Sequence, residues 1–192
     1  IRHTVSSGDA GYNNLAAVNL PVHITDNDLP TSDPTFIRRT GNFGLFDVGD
    51  KASPTFVDID NDGDLDAFIG NNLPTGNLTF FRNTGSASSP FFSLEAGTPF
   101  GIAGATSLGA HVSFADIDKD GDLDAFLGGN SSTVQFFRNT AAAGASTPQF
   151  TSEGNPFNLT IQGRPTFVDI DNDGDLDAFI GNGTSGGSTV FY

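Results

Sequence analysis

The sequence predicts an all-β chain built from repeated antiparallel sheets, and three observations lead there. The stretch Pro54–Asn71, PTFVDIDNDGDLDAFIGN, returns unchanged at Pro165–Asn182, and with six substitutions at Val112–Gly129 as VSFADIDKDGDLDAFLGG. The nine-residue acidic loops inside these copies begin 58 and then 53 residues apart, a period that accommodates one four-stranded sheet per repeat. The composition agrees: 24 Gly, 19 Phe and no Trp suit short strands, tight turns and aromatic packing between sheets.

Each acidic loop carries aspartate at positions one, three, five, seven and nine, and glycine at position six. The residues are Asp58, Asp60, Asp62, Asp64 and Asp66; Asp116, Asp118, Asp120, Asp122 and Asp124; and Asp169, Asp171, Asp173, Asp175 and Asp177. Five carboxylates in nine residues repel one another by about 1 kcal/mol per close pair even in water, so the spacing calls for a cation. An all-oxygen donor set suits Ca²⁺, with about 6–8 ligands in a flexible geometry. Zinc and copper favour the histidine and cysteine these loops lack. The loops begin like an EF-hand, but its twelfth-position glutamate is replaced by Ile69, Leu127 or Ile180. Closure therefore falls to the ninth aspartate. Side chains at positions one, three, five and nine are the expected ligands, and position seven offers its backbone carbonyl. Gly63, Gly121 and Gly174 supply the positive φ of the curl. Ile59, Ile117 and Ile170, with Leu65, Leu123 and Leu176, alternate with the ligands and are expected to point into the core.

The pattern F-V-D-I-D-N-D-G-D-L-D-A-F-I-G-N, followed by F-F-R-N-T, closely resembles the FG-GAP/VCBS repeat over roughly Asp33–Tyr192. That resemblance implies β-propeller-type blades like those of integrin α-subunit heads, about three of them in an incomplete propeller. It implies calcium in loops of the form D-x-D-x-D-G-x-x-D, about three ions in all. A second resemblance precedes it. Gly8-Asp9-Ala10-Gly11-Tyr12 and the closing Ile24-Thr25-Asp26-Asn27-Asp28 look like the end of a Calx-beta domain, a calcium-binding β-sandwich. It implies Asp26 and Asp28 as additional calcium ligands; an acidic linker turn is the alternative.

In chain order, residues 1–29 hold a turn-rich Gly8–Asn14 and an alternating strand at Val18–Thr25. Two strands bury no sandwich core alone, so this is a short remnant that another segment or chain completes. Residues 30–34 are a Pro-rich linker to the repeats at 35–192. Thr35–Arg39, Phe91–Glu95 and Phe150–Glu153 correspond to one another as outermost strands. Gly-rich approaches follow, bearing Phe43, Phe100 and Phe157, which are expected between neighbouring blades. Next come an innermost strand (Thr55–Val57 and its equivalents), the acidic loop, and a second strand at Asp66–Gly70. The third strand is expected at Leu78–Arg82, Val134–Arg138 and Val190–Tyr192. Arg82 and Arg138, alike in F-F-R-N-T, are expected to pair with blade acids. The loops between second and third strands differ among copies, and with the Gly-rich approaches they are where a ligand would bind.

Fifteen of the 23 acidic residues lie in the three loops, and the other eight balance eight Lys and Arg, so the loops account for the whole net charge of −15. With no basic patch, a nucleic-acid partner is disfavoured, and no apolar run approaches the ~20 residues of a membrane span. Without cysteine there is no disulfide scaffold. Histidine occurs only at positions 3, 23 and 111, and no G-x-S-x-G elbow appears, so no catalytic group is assembled. His111 stands in the place of Ser53 and Arg164, a variable blade-edge position. About three blades fall short of the ~4–8 that close a propeller, which predicts a piece of a longer polypeptide or one unit of an assembly of copies. The expected role is a calcium-rigidified extracellular or cell-surface protein of adhesion or a surface filament, not an enzyme. Surface proteins and glycans are candidate partners, and a carbohydrate-binding propeller is the alternative.

Overall fold

In a computed structural model the chain separates into two units, Ile1–Arg39 and Thr40–Tyr192. The structure describes residues 41–72, 78–102, 109–129, 133–159, 162–182 and 189–191. The sandwich remnant with Asp26 and Asp28, the linker, the strand expected at Thr35–Arg39 and most of the variable loops lie outside the described residues.

The second unit is all-β. Strands β1 (Ser53–Val57), β2 (Asp66–Gly70), β3 (Leu78–Asn83) and β4 (Phe92–Glu95) form the first sheet, in the order β1-β2-β3-β4. Strands β5 (His111–Ala115), β6 (Asp124–Gly128), β7 (Gln135–Asn139) and β8 (Phe150–Gly154) form the second in the same order. A third sheet orders β9 (Gly163–Val168), β10 (Asp177–Asn182) and β11 (Thr189–Phe191) as β11-β10-β9. Every neighbouring pair is antiparallel. These are propeller-type meander blades, and each acidic loop is the hairpin between the first and second strands of its blade.

The second strands explain how the blades pack. Asp66–Gly70 and Asp124–Gly128 are buried throughout, so both faces of each central strand must be covered. Alternation assigns one face to each neighbour. Phe68 and Phe80 of the first blade share a core with Val112, Ala125, Leu127, Phe137 and Phe150 of the second. Phe126 and Phe136 of the second share another with Ile180 and Phe167 of the third. Inner-strand Phe114 lies 4.9 Å from Phe68, and its equivalent Phe167 lies 4.3 Å from Phe126, as ring centroids. The approach segments wedge into the same junctions: Phe100 touches Phe68 and Phe80, and Phe157 touches Phe126 and Phe136.

Glycine makes the backbones fit. A Cβ on Gly70 would overlap the Ala110 carbonyl of the next blade, and one on Gly128 would overlap that of Gly163. A hydrogen bond from the Ala110 N–H to the Asn71 carbonyl, 3.1 Å, and one from the Thr55 hydroxyl to the Val112 carbonyl, 2.7 Å, stitch the first junction.

The loop Ile and Leu residues do not all enter the core. Ile59 and Ile117 pack at the first and second junctions, and Leu123 packs partly against the first. Leu65, Ile170 and Leu176 are exposed. Position two points at the following blade, which covers Ile59 and Ile117 but has no counterpart over Ile170 among the described residues; position eight points at the preceding blade, where Leu123 packs but Leu176 stays partly exposed although the second blade is beside it.

Candidate metal centres

The local sequence builds each loop before any ion is considered. The first-position carboxylate accepts the N–H groups of positions five and six: Asp58 from Asp62 and Gly63, both at 3.1 Å. Asp116 and Asp169 do the same in their loops. Gly63, Gly121 and Gly174 have φ of 91°, 95° and 92°, as the spacing predicts. The sequence reading missed a second left-handed residue, position four, where Asn61, Lys119 and Asn172 have φ of 57°, 60° and 61°. Asparagine in two of the three copies was the available signal, because it tolerates that conformation best after glycine.

In the first loop, carboxylate oxygens of Asp58, Asp60 and Asp62 lie within 4.8 Å of one another, and Asp116, Asp118 and Asp120 do so in the second. In the third the converging group is Asp169, Asp171 and Asp177, which brings in position nine directly. In the first two loops position nine is deeply buried: Asp66 is 1% and Asp124 2% exposed. One oxygen of each accepts a backbone N–H from β3 or β7, Asn83 at 2.7 Å and Asn139 at 2.8 Å. The other oxygen, Oδ2, has no partner at hydrogen-bond distance in either residue, although the Ile117 N–H lies near enough to Asp124 to lower its pKa; in the third loop the equivalent Asp177 Oδ2 accepts the Ile170 N–H at 3.1 Å. Burial, together with neighbouring carboxylates, drives both pKa values up to about 6, against the partial relief of the backbone hydrogen bonds. Asp60 is shifted the same way by burial and by Asp62 and Asp58, with Arg82 opposing.

A buried carboxylate oxygen without a donor costs stability unless a cation faces it. The donor chemistry fits a hard divalent ion: clustered carboxylates, no nitrogen or sulfur, and orphaned buried oxygens at the loop ends.

Position seven behaves differently in each loop. Asp64 and Asp122 are buried and each keeps one oxygen without a partner, and Asp122 also accepts the Gly144 N–H at 2.9 Å. Asp175 is exposed and pairs with Lys119 of the preceding blade at 2.7 Å. Lys119 holds the Asp175 carboxyl below its ordinary value.

The expected arginine pairing is present and more specific than anticipated. Arg82 bonds Asp60 at loop position three and Glu95 on β4. Arg138 bonds Asp118 and reaches Glu153 on β8 at 2.8 Å. Each guanidinium also lies over ring faces, Arg82 over Phe80 and Phe100 and Arg138 over Phe136. The following asparagine was not singled out from sequence, yet it organises the blade edge. Asn83 Oδ1 accepts the N–H groups of Gly85 and Phe91, and Asn139 Oδ1 those of Ala141 and Gln149. The signal was its place after the arginine in F-F-R-N-T. His111 is likewise less incidental than its variability implied: its Nδ1 lies 3.0 Å from the Ser53 hydroxyl across the first junction.

The profile of the FG-GAP-like repeat matches residues 58–127 and again 116–180, each match running from one acidic loop through the next. The chain belongs to the FG-GAP-like repeat family. No curated protein matches it. Among the described residues no helix is long and apolar enough to cross a membrane. Membership in the FG-GAP-like family accounts for the meander blades, with the Asp-rich groups placed where they can hold ions.

Proposed function

We propose that this FG-GAP-like protein is a calcium-binding structural or adhesion protein of the extracellular space or cell surface, whose ions rigidify propeller blades. The observation that carries the reading is the set of buried loop oxygens without a hydrogen-bond partner, Asp60 Oδ1, Asp64 Oδ1 and Asp66 Oδ2 in the first loop and Asp122 Oδ2 and Asp124 Oδ2 in the second, beside clustered carboxylates. Ca²⁺ would be held by Asp58, Asp60, Asp62 and Asp66 in the first loop and by Asp116, Asp118, Asp120 and Asp124 in the second. Asp169, Asp171, Asp173 and Asp177 would hold the third ion. The ion supplies charge neutralisation; the residues supply oxygens already oriented by the backbone N–H groups they bond. The seventh-position residues would offer a backbone carbonyl; the Asp175 side chain pairs instead with Lys119, while Asp64 and Asp122 each hold a buried, donor-less oxygen that the ion would also satisfy.

Arg82 and Arg138 extend the effect. Each ties a ligand-bearing loop to the outermost strand, so ordering the loop orders the blade edge. Extracellular calcium is millimolar, enough to saturate sites with Kd of ~10⁻⁴–10⁻³ M, and binding to the folded state alone adds stability by mass action. Three bound ions would reduce the net charge from −15 to −9. A role without catalysis fits loops whose carboxylates serve an ion and a family of repeats. Residues 1–29 would then be the end of a Calx-beta-like domain, with Asp26 and Asp28 as further ligands.

Isothermal calorimetry of the chelated protein titrated with Ca²⁺ tests the assignment. About three ions per chain and a rise in melting temperature are expected. No heat and identical melting with and without EDTA would overturn it.

A further inference from the structure

In the first two acidic loops the fourth residue reaches into the next blade. Asn61 and Lys119 hold the left-handed conformation, with φ of 57° and 60°, and their side chains leave the loops that bear them. Asn61 Nδ2 donates to the Ala145 carbonyl of the second blade at 3.5 Å. The adjoining Gly144 N–H donates to Asp122, the seventh residue of the second loop. At the next junction the link is direct: Lys119 Nζ donates to Asp175 Oδ1, the seventh residue of the third loop, at 2.7 Å. Both junctions lie inside the described blades, so neither link depends on what adjoins the first blade or the third.

The two links differ in charge. The second loop receives a neutral amide through the 144–145 peptide, whereas the third receives a full positive charge. Among the described residues, Lys119–Asp175 is the only ion pair that joins two blades; the arginine pairs stay within their own. Asp173 and Asp169, two of the residues assigned to the third ion, act on the same ammonium through space. The Lys119 and Asp175 side chains are 60% and 81% exposed, so the pair itself adds little stability. What remains is the charge it places beside the site. An ammonium there opposes a divalent cation, most strongly where salt does not screen it.

We propose that Lys119 sets the calcium affinity of the third loop from the neighbouring blade, holding it below what that loop's own residues would give. The inference rests on the calcium reading of the loops. Lys119 touches no ligand oxygen assigned to the third ion; it acts through Asp175, whose carboxylate it neutralises, and through its own charge. The nine residues of the third loop are identical to those of the first, so nothing inside the loop can tune it separately. A residue on another blade can. Linkage makes the effect reciprocal: calcium in the third loop weakens that loop's hold on Lys119 by the same factor. Lys119 itself stands between Asp118 and Asp120, two residues assigned to the second ion. The second and third sites are thereby joined across the blade junction.

Lys119→Asn tests this, because it introduces the residue type found at positions 61 and 172 in the same left-handed conformation, so the loop should stay folded. Titration of the whole chain with Ca²⁺, followed by the amide resonances of Gly63, Gly121 and Gly174, reads the three loops separately. In ~0.01 M salt the affinity read at Gly174 should rise about threefold or more in the variant. In ~1 M salt, where charges are screened beyond ~3 Å, the gain should vanish. Lys119→Arg, which keeps the charge, should titrate like the parent at Gly174. A gain confined to Gly121, in the loop that carries Lys119, overturns the proposal. So does a third loop that is unchanged or weaker in Lys119→Asn, or a gain that salt does not remove. A parent in which none of the three glycines responds to calcium overturns the calcium reading and this inference with it, a result distinct from sites that bind but ignore Lys119.

Discussion

Arg82 donates to Asp60, so the guanidinium of the third strand reaches the third carboxylate of the acidic loop. The same side chain bonds Glu95 on the outermost strand. A cation of the protein thus sits beside carboxylates of the proposed calcium site, and its weight should depend on whether Ca²⁺ is bound there.

Arg82→Gln should therefore destabilise the chelated protein more than the calcium-loaded one. Asp60 is nearly buried and crowded by Asp58 and Asp62, and without an ion Arg82 is its main positive neighbour. Loss of a charge-assisted bond of this kind costs about 1.5–3 kcal/mol. With Ca²⁺ bound the loss should shrink to under half of that. Urea unfolding of both proteins in EDTA and in calcium measures the difference; equal losses in the two conditions would remove the coupling.

Asp66→Asn should reverse sign between the two conditions. The amide retains an acceptor for the Asn83 N–H and removes a buried charge. In EDTA the variant should melt above the parent; in calcium, having lost a ligand, it should melt below. Differential scanning calorimetry reads both, and a lower melting point in EDTA would contradict the burial argument.

The pH dependence of the chelated protein follows from the same carboxylates. Asp66 and Asp124 have folded pKa values of about 6 against 3.8 unfolded, so the folded state holds more protons between those limits. Their contribution to stability is present below 3.8 and is lost as pH rises through about 6. His111 acts oppositely: burial and Arg164 hold its pKa below 6.5, so its protonation costs stability as pH falls below that value. In EDTA the protein should be more stable at pH 5 than at pH 7.5, and His111→Gln should widen the gap. Denaturant midpoints across this range decide it.

The blade junctions predict a sharp steric contrast. Gly70→Ala and Gly128→Ala each drive a methyl group into a backbone carbonyl of the next blade, which a flexible side chain cannot relieve. Each should cost about 1–3 kcal/mol or more. Gly63→Ala meets no neighbour within 4 Å and suffers only from its φ of 91°. It should cost less in stability than the junction variants and more in calcium affinity, as melting and calorimetry would read.

The sequence alone determined the acidic loops, the strand that follows each and the repeat that places them, because backbone hydrogen bonds and alternation act within a few residues. Asp58 accepting the N–H groups of Asp62 and Gly63 is such a local arrangement, and it recurs wherever the spacing recurs. The third strands also lie within one or two residues of their expected positions. What only the tertiary structure decided is which copies of a position are covered. Ile59 and Ile170 stand at the same place in two identical 18-residue stretches, one buried and one exposed. No local rule separates them, since the hydrophobic contact is made by a neighbouring blade. The same holds for Asp64, buried, and Asp175, which faces solvent and meets Lys119. Identical residues acquire different energies when different surfaces lie against them, and in a protein of stacked blades those surfaces come from distant parts of the chain.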